Sequence, residues 1–319
     1  MATTTAEKGR TGDQRRTESA SRTEPSQSKR PNRFTFNAKL MAPALIVLAL
    51  LSLFPFIYIV LMSLSRVGLI GGIDLHWAGL DNWSKLFSDS TVGAAWIRSV
   101  VYFVLTVGLE MALGITIALI VHGLIWGKNL VISLVLMPMF MAPAIVGLLG
   151  RFLTDSTYGL YAYVLRETHL YTGDILGSPT SAFIAVTLMD VWEWTPLIAL
   201  IVLAGLSSLP KPVLEAAHVD GATYWQRLRH IVFPMIAGVV IVALLVRSMD
   251  AIRYFDIIYN TTNGGPADAT KIVPIRLYET AFRFFDLGYA AAIGLSMLAV
   301  SILVANLFMR TLKRQGLAK

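Results

Sequence analysis

Cysteine is absent from the 319 residues, and charged residues make up only 15% of them. The first absence excludes disulfides, iron–sulfur clusters and thiolate metal sites. No two of the five histidines are four residues apart, so the sequence gives no support for a metal site either. Hydrophobic residues make up 55% of the chain, and the charges avoid several windows of twenty or more residues. This pattern predicts an integral membrane protein.

A complete nucleotide-binding loop is also missing. The nearest stretch, from Gly123 to Asn129, has three residues between its glycines where a P-loop needs four. It also lacks a Ser or Thr after Lys128, so we expect this chain to hydrolyse no ATP itself. No nucleophile is spaced with a base or a metal set, which argues against an intramembrane enzyme. Most basic residues lie in the N-terminal tail and not on a folded face, which argues against nucleic-acid binding.

Six apolar segments are each long enough to cross a bilayer as a helix of about 20 residues. They lie near residues 40–62, 98–122, 130–151, 182–205, 232–257 and 288–309. All are expected to be helical because lipid offers no partner for backbone N–H and C=O groups. Prolines such as Pro138 and Pro143 are expected to kink these helices without unfolding them. The predicted fold class is an all-α integral membrane protein with six transmembrane helices.

The distribution of Lys and Arg predicts the topology. Residues 1–39 carry nine of them and no apolar run, which predicts a disordered tail and no signal peptide. Basic residues also collect between the second and third spans, between the fourth and fifth, and after the sixth. The positive-inside rule then places both termini in the cytoplasm, with a transmembrane domain over 40–312 and a C-terminus over 313–319. Lys271, Arg276 and Arg283 lie in a predicted outer loop and weaken this signal.

The loop at 206–234 contains a polar stretch between two spans, VLEAAHVDGATYWQRLRHIVFP. Pro212 suits a first helical turn, and Asp220-Gly221 provides a stop. Thr223 and Gln226 have the spacing of a capping box, which predicts a second short helix. Two interpretations are open from the residues alone: an interfacial amphipathic elbow that reverses the chain, or a docking surface for a partner.

This stretch resembles the EAA signature of ABC importer permeases. The matching residues are Glu215-Ala216-Ala217, Gly221, Ile231 and Phe233-Pro234, with Phe233 where the family usually has Leu. Residues 250–266, DAIRYFDIIYNTTNGGP, are similar to the segment ending in T-x-G-G-P of carbohydrate-uptake permeases of the larger maltose subunit type. Asn263 stands there in place of a frequent glycine. Residues 137–160 and 190–210 are also similar, so the resemblance covers about 40–310.

The resemblance implies the type I (MetI-like) permease fold and a subunit that carries a sugar, oligosaccharide or sugar alcohol across the cytoplasmic (inner) membrane of a bacterium. The implied partners are a second permease subunit forming a heterodimer, an ATPase dimer that binds ATP and Mg²⁺, and an extracytoplasmic solute-binding protein. No cofactor is implied for this chain. The alternatives are glycerol-3-phosphate as the solute and, less favoured because no hydropathy repeat is evident, a secondary transporter. The residues implied to contact the ATPase are Glu215, Ala216, Ala217, Asp220, Gly221 and Trp225.

Charged residues inside spans are costly, so each needs a structural or a functional reason. For Glu110 we predict packing. Arg247, Asp250, Arg253 and Asp256 recur every third or fourth residue and are predicted to share one face of the fifth helix, as an ion-pair ladder or as part of a polar cavity. Carboxylates, Arg and aromatic rings suit a polyhydroxylated solute. The predicted cavity residues are Asp190, Glu193, Trp194, Arg253, Asp250, Asp256 and Gly147.

Overall fold

The computed structural model describes residues 33–69 and 71–314. Within these residues, five helices are long and apolar enough to cross a membrane. They are α1 (Arg33–Ser63), α3 (Ser90–His122), α7 (Pro179–Ser207), α10 (Phe233–Ala251) and α13 (Leu287–Arg314). The chain divides inside α1 into two units, with the boundary between Phe54 and Pro55, and every element after α1 belongs to the second.

Shorter elements connect these helices. A β-hairpin, β1 (Ser65–Gly68) and β2 (Asp74–Trp77), follows α1 and pairs antiparallel, with Arg66 opposite His76. The short helices are α2 (Asp81–Ser88), α4 (Lys128–Leu136), α5 (Pro143–Leu153), α6 (Leu160–Glu167), α8 (Lys211–Val219), α9 (Tyr224–Arg227), α11 (Asp256–Thr261) and α12 (Val273–Phe282). A 3₁₀ turn (Pro138–Phe140) lies between α4 and α5, and a π-helical turn (Leu228–Val232) joins α9 to α10.

The third predicted span is not a continuous helix, and the expectation that its prolines would only kink it was wrong. The chain breaks into α4, the 3₁₀ turn and α5. Pro143 is the reason for the second break, because a proline disfavours helical geometry in the preceding residue, and Ala142 is indeed extended, with ψ 134°. By contrast, Pro196 lies inside α7 without ending it, and Pro234 lies in the first turn of α10.

Two other boundaries differ from the prediction. The helix α10 ends at Ala251, so Arg253 and Asp256 do not share its face with Arg247. The helix α1 begins at Arg33, inside the stretch predicted as a tail. The tail up to residue 32 and the C-terminal residues 315–319 lie outside the described residues.

The core is built around α7. Of its most apolar window 61% is buried, against 33% or less for the other long helices, so α7 is the central helix. It packs closely against α3: a Cβ on Gly114 would lie 2.7 Å from Cβ of Ile198. One apolar cluster joins α3, α7 and α10, and another joins α3, α5, α7, α11 and α12.

The basic residues that weakened the topology signal are paired with acids. Lys271 Nζ lies 2.6 Å from Asp268 Oδ1 and 3.0 Å from Glu279 Oε2, and Arg283 Nη1 lies 3.3 Å from Glu279 Oε1. Hydrogen bonding from Lys271 lowers the pKa of Asp268.

Candidate functional site

A buried ionic cluster links three membrane helices. Arg247 of α10 is fully buried, and its guanidinium donates through Nε and Nη2 to the two carboxylate oxygens of Glu110 in α3, at 2.6 and 2.9 Å. Its Nη2 also lies 2.8 Å from both oxygens of Asp190 in α7. Glu110 and Asp190 are themselves fully buried. Such a forked arrangement is the geometry in which Arg binds carboxylates most strongly.

Asp190 is fully buried and bonded within the chain, whereas the sequence predicts a cavity residue here. Its remaining bonding capacity is met by Tyr102 of α3, whose hydroxyl donates to Asp190 Oδ2 at 2.9 Å. A carboxylate with no exposed surface and two partners has no room for a solute hydroxyl. For Arg247, the ladder alternative is the one the structure confirms, although the ladder connects different helices and does not run along α10.

Glu193, about one helical turn after Asp190 on α7, is also buried. Its Oε2 accepts a hydrogen bond from the Tyr254 hydroxyl at 2.8 Å, while no described group bonds to its other oxygen. Trp194 is half-buried, and the Arg247 guanidinium lies 5.5 Å from its ring centroid and 5.4 Å from that of Tyr254. Glu193 and Trp194, both predicted cavity residues, thus pack next to the ionic cluster. Cation–π contacts of Arg247 with the Trp194 and Tyr254 rings add to this packing.

Three predicted cavity residues lie at and just beyond the C-terminal end of α10, and their side chains are partly or fully exposed. Asp250 connects the two environments: its Oδ2 accepts from Arg247 Nη1 at 3.1 Å, yet its side chain is 42% exposed. Arg253 is exposed and bonds locally, from Nε to the Met249 carbonyl at 3.2 Å. Asp256 is exposed and is the first residue of α11. Because α10 ends at Ala251, Arg253 and Asp256 do not lie on one helix face with Arg247, as they would in a continuous helix.

Aromatic rings adjoin these charges. Phe255 stacks on Tyr259 with 4.9 Å between ring centroids, and Tyr259 meets Tyr278 of α12 edge to face at 5.0 Å. All three rings are partly exposed. This cluster was not predictable from the motif, because Tyr278 lies outside the stretch that contains the other two rings.

Gly147, another predicted cavity residue, lies at a contact between two backbone segments. It is buried where α5 meets α11, and an added Cβ would lie 2.9 Å from the Ile257 carbonyl oxygen. The Gly147 carbonyl accepts a hydrogen bond from Thr261 Oγ1 at 2.9 Å. Glycine is needed here for the close approach of two backbones.

The loop between α7 and α10 has the local structure that the sequence predicts. The helix α8 ends in a Schellman arrangement, with Ala222 N–H donating to Ala217 O at 3.0 Å and Gly221 N–H to His218 O at 3.1 Å. Gly221 has φ +78°, which explains the glycine. Thr223 and Gln226 form the reciprocal capping box at the start of α9.

The outer face of this loop carries exposed apolar and charged side chains. Trp225 is 74% exposed and Val219 86%, and Glu215 and Asp220 are also exposed. Of the six residues implied to contact the ATPase, only Ala217 is buried. The loop is therefore a rigid turn between two helices, with a surface left uncovered in the isolated chain.

A family model for the inner membrane components of binding-protein-dependent transport systems matches residues 110–315, which include the cluster and this loop. The chain belongs to this family. It is an ABC transporter permease subunit and a multi-pass membrane protein, and it is not itself an enzyme.

The permease is similar to two curated relatives over most of its length. It is 33% identical to the trehalose/maltose transport system permease protein MalF of Thermococcus litoralis, over 72% of this chain and 77% of that protein. It is 31% identical to the trehalose transport system permease protein SugA of Mycobacterium tuberculosis strain H37Rv, over 85% and 86%. A solved bacterial alginate ABC transporter, in complex with an alginate pentasaccharide-bound periplasmic protein, has the same fold, with a TM-score of 0.76, 20% identity and coverage of 90% and 96%.

Proposed function

We propose that this permease carries a neutral polyhydroxylated solute, a sugar, oligosaccharide or sugar alcohol. The observation that carries the proposal is that exposed Arg253 and Asp256 flank Phe255 in the chain at the α10 break, and that Phe255 stacks with the partly exposed rings of Tyr259 and, through it, Tyr278. Charged side chains bind hydroxyls through directional hydrogen bonds, and aromatic rings cover the C–H faces of sugars. The trehalose and maltose systems named for the two relatives agree with this class.

Charge at the break argues against the alternative solute, glycerol-3-phosphate. Asp250 and Asp256 carry two negative charges and Arg253 one positive charge, which leaves one net negative charge among the exposed groups. A dianion would be repelled by this surface, whereas a neutral sugar is indifferent to its net charge.

The test is uptake by the assembled transporter with Arg253→Gln and Asp256→Asn, each a near-isostere on an exposed side chain. Losing a charge-assisted hydrogen bond should reduce transport of the best solute by roughly ten- to a hundredfold, with assembly unchanged. Arg283→Gln is the matched control, because Arg283 is exposed to a similar degree but pairs with Glu279 away from the break. A panel of trehalose, maltose, a sugar alcohol and glycerol-3-phosphate identifies the solute. Unchanged uptake in both variants, or preference for glycerol-3-phosphate, would refute the proposal.

The assembly that serves this function follows the family. We infer that the permease pairs with a second permease subunit, that an ATPase dimer binds ATP and Mg²⁺, and that a solute-binding protein docks on loops 63–97, 152–181 and 258–287. The loop from α8 to the π-helical turn is proposed to contact the ATPase, and its exposed Trp225 and Glu215 support this. Both termini are then cytoplasmic, in the inner membrane of a bacterium. Reporter fusions at residues 20 and 315 should report cytoplasm and one at residue 85 the outside; opposite signals from the two termini would refute this topology.

A further inference from the structure

A cavity lies against α7, apart from the ionic cluster and from the α10 break. It is an open groove with a volume of 820 Å³, lined by α5, α6, the segment before α7, and the first half of α7. This volume is within the range of small-molecule sites. The α7 wall is a row of residues four apart, Ile184, Leu188 and Trp192, each about half exposed. On α7, these side chains point away from the face that carries Asp190.

The lining chemistry selects an apolar ligand. None of the residues around the cavity is charged. Its buried hydroxyls are already bonded within the chain: Thr154 Oγ1 donates to the Gly150 carbonyl at 2.7 Å, and Ser181 Oγ to the Ile175 carbonyl at 2.6 Å. A sugar would find few free partners here, so burying its hydroxyls would be unfavourable. A hydrocarbon chain has no hydrogen bonds to lose on entering such a site.

The dimensions match one leaflet of a bilayer. The α7 wall runs from Thr180, in the first turn of the helix, to Trp192, a distance of about 18 Å at 1.5 Å per residue. Half of the hydrocarbon core is about 15 Å thick. Three uncharged polar residues lie at the N-terminal end of α7, where the glycerol ester region of a lipid would lie: Ser178, Thr180 and Ser181. Apolar side chains line the rest of the cavity.

The helix α6 forms the outer wall as an interfacial element. Leu160, Tyr161, Val164 and Leu165 line the cavity, while Arg166 turns away and donates to the Ser156 carbonyl at 2.7 Å. An amphipathic helix of this kind lies in the membrane surface with its apolar side toward the acyl chains. We propose that the cavity binds one acyl chain of a membrane phospholipid between α5, α6 and α7.

The test uses the permease in its assembled complex, reconstituted in vesicles that contain a phospholipid with a photoactivatable group on one acyl chain. After irradiation, peptides covering residues 160–165 and 184–192 should be labelled severalfold more than the exposed apolar face of α13 at Ile302, Leu303 and Leu307. Val164→Trp fills the cavity and should reduce this labelling severalfold. Tyr163→Trp is the matched control, because Tyr163 is an exposed neighbour outside the lining and should leave labelling unchanged.

Several results would overturn the proposal. Labelling of the cavity peptides no stronger than that of α13 would mean ordinary contact with bulk lipid. Unchanged labelling in Val164→Trp would place the probe elsewhere. Labelling by a photoactivatable free fatty acid, with none by the photoactivatable phospholipid, would assign the site to free fatty acid and not to phospholipid. Protection of the cavity by the second permease subunit, with cross-links between the two proteins, would make it a protein interface. None of these results depends on which solute is transported.

Discussion

Replacing Arg247 by Met should destabilise the permease severely and before any specific loss of transport. The substitution retains an unbranched apolar side chain but removes the only cation within reach of Glu110 and Asp190 among the described residues, both fully buried. Breaking a buried ion pair by deleting one partner costs about 3–5 kcal/mol, because the remaining charge is left uncompensated. This corresponds to roughly a hundredfold to ten-thousandfold in the ratio of folded to unfolded protein.

The assay is the yield and thermal midpoint of the purified complex, measured beside uptake in vesicles. Arg253→Met is the matched control, since it removes an exposed guanidinium six residues away and should leave the midpoint within experimental error. A second variant combines Arg247→Met with Glu110→Gln and Asp190→Asn and should recover much of the lost stability, because the unpaired charges are gone. If Arg247→Met were as stable as Arg253→Met but inactive, the cluster would bind solute and our assignment to the scaffold would fail.

Three further predictions concern other parts of the chain. Gly221→Val should abolish uptake while membrane insertion, measured by protease protection, persists, since a β-branched residue is strained at φ +78°; normal uptake would show that the turn tolerates strain. Gly147→Leu should lower the thermal midpoint, because its side chain would collide with the Ile257 backbone, whereas an unchanged midpoint would mean that α5 shifts freely. Asp89→Asn should lower the midpoint at pH 7, and this difference from the wild type should shrink as the pH falls below 3.8. Burial raises the pKa of Asp89, but hydrogen bonds from Thr91 and Tyr289 outweigh burial and leave the pKa below 3.8, so the stabilisation is fully lost only below the pKa of the folded protein.

Hydropathy predicted most of the membrane helices because the requirement it measures is local: each window must be apolar by itself to lie in lipid. The capping box at Thr223 and the glycine turn at Gly221 were predictable for the same reason, since each is decided by residues three or four apart. The broken third span was within reach of the sequence as well. Pro138 and Pro143, five residues apart, remove two backbone donors from one short stretch, and treating each as an isolated kink was the error.

The ionic cluster could not be predicted in the same way, because its partners are far apart in the chain. Glu110 and Arg247 are 137 residues apart and meet only because α3 and α10 pack around α7. Tyr102 was missed altogether, since a tyrosine in an apolar span looks like one more lipid-compatible residue until its hydroxyl is seen to bond to Asp190. The signal in the sequence was the imbalance: one intramembrane guanidinium among several carboxylates must have partners from more than one helix.

The ionic cluster restricts how α3, α7 and α10 can move relative to one another. The loop from α8 to the π-helical turn is continuous with α7 at one end and α10 at the other, and Arg247 ties these two helices to each other and to α3. Sliding α7 along α10 would break the bonds between Arg247 and Asp190, and sliding α3 along α10 would break those between Arg247 and Glu110, so the cluster resists relative sliding of the three helices. The interruptions lie elsewhere, at the prolines between α4 and α5 and at the break after Ala251. The exposed Arg253 and Asp256 follow α10 in the chain and lie outside the ionic cluster, whereas the partly exposed Asp250 is the last charged residue of α10 and still bonds to Arg247.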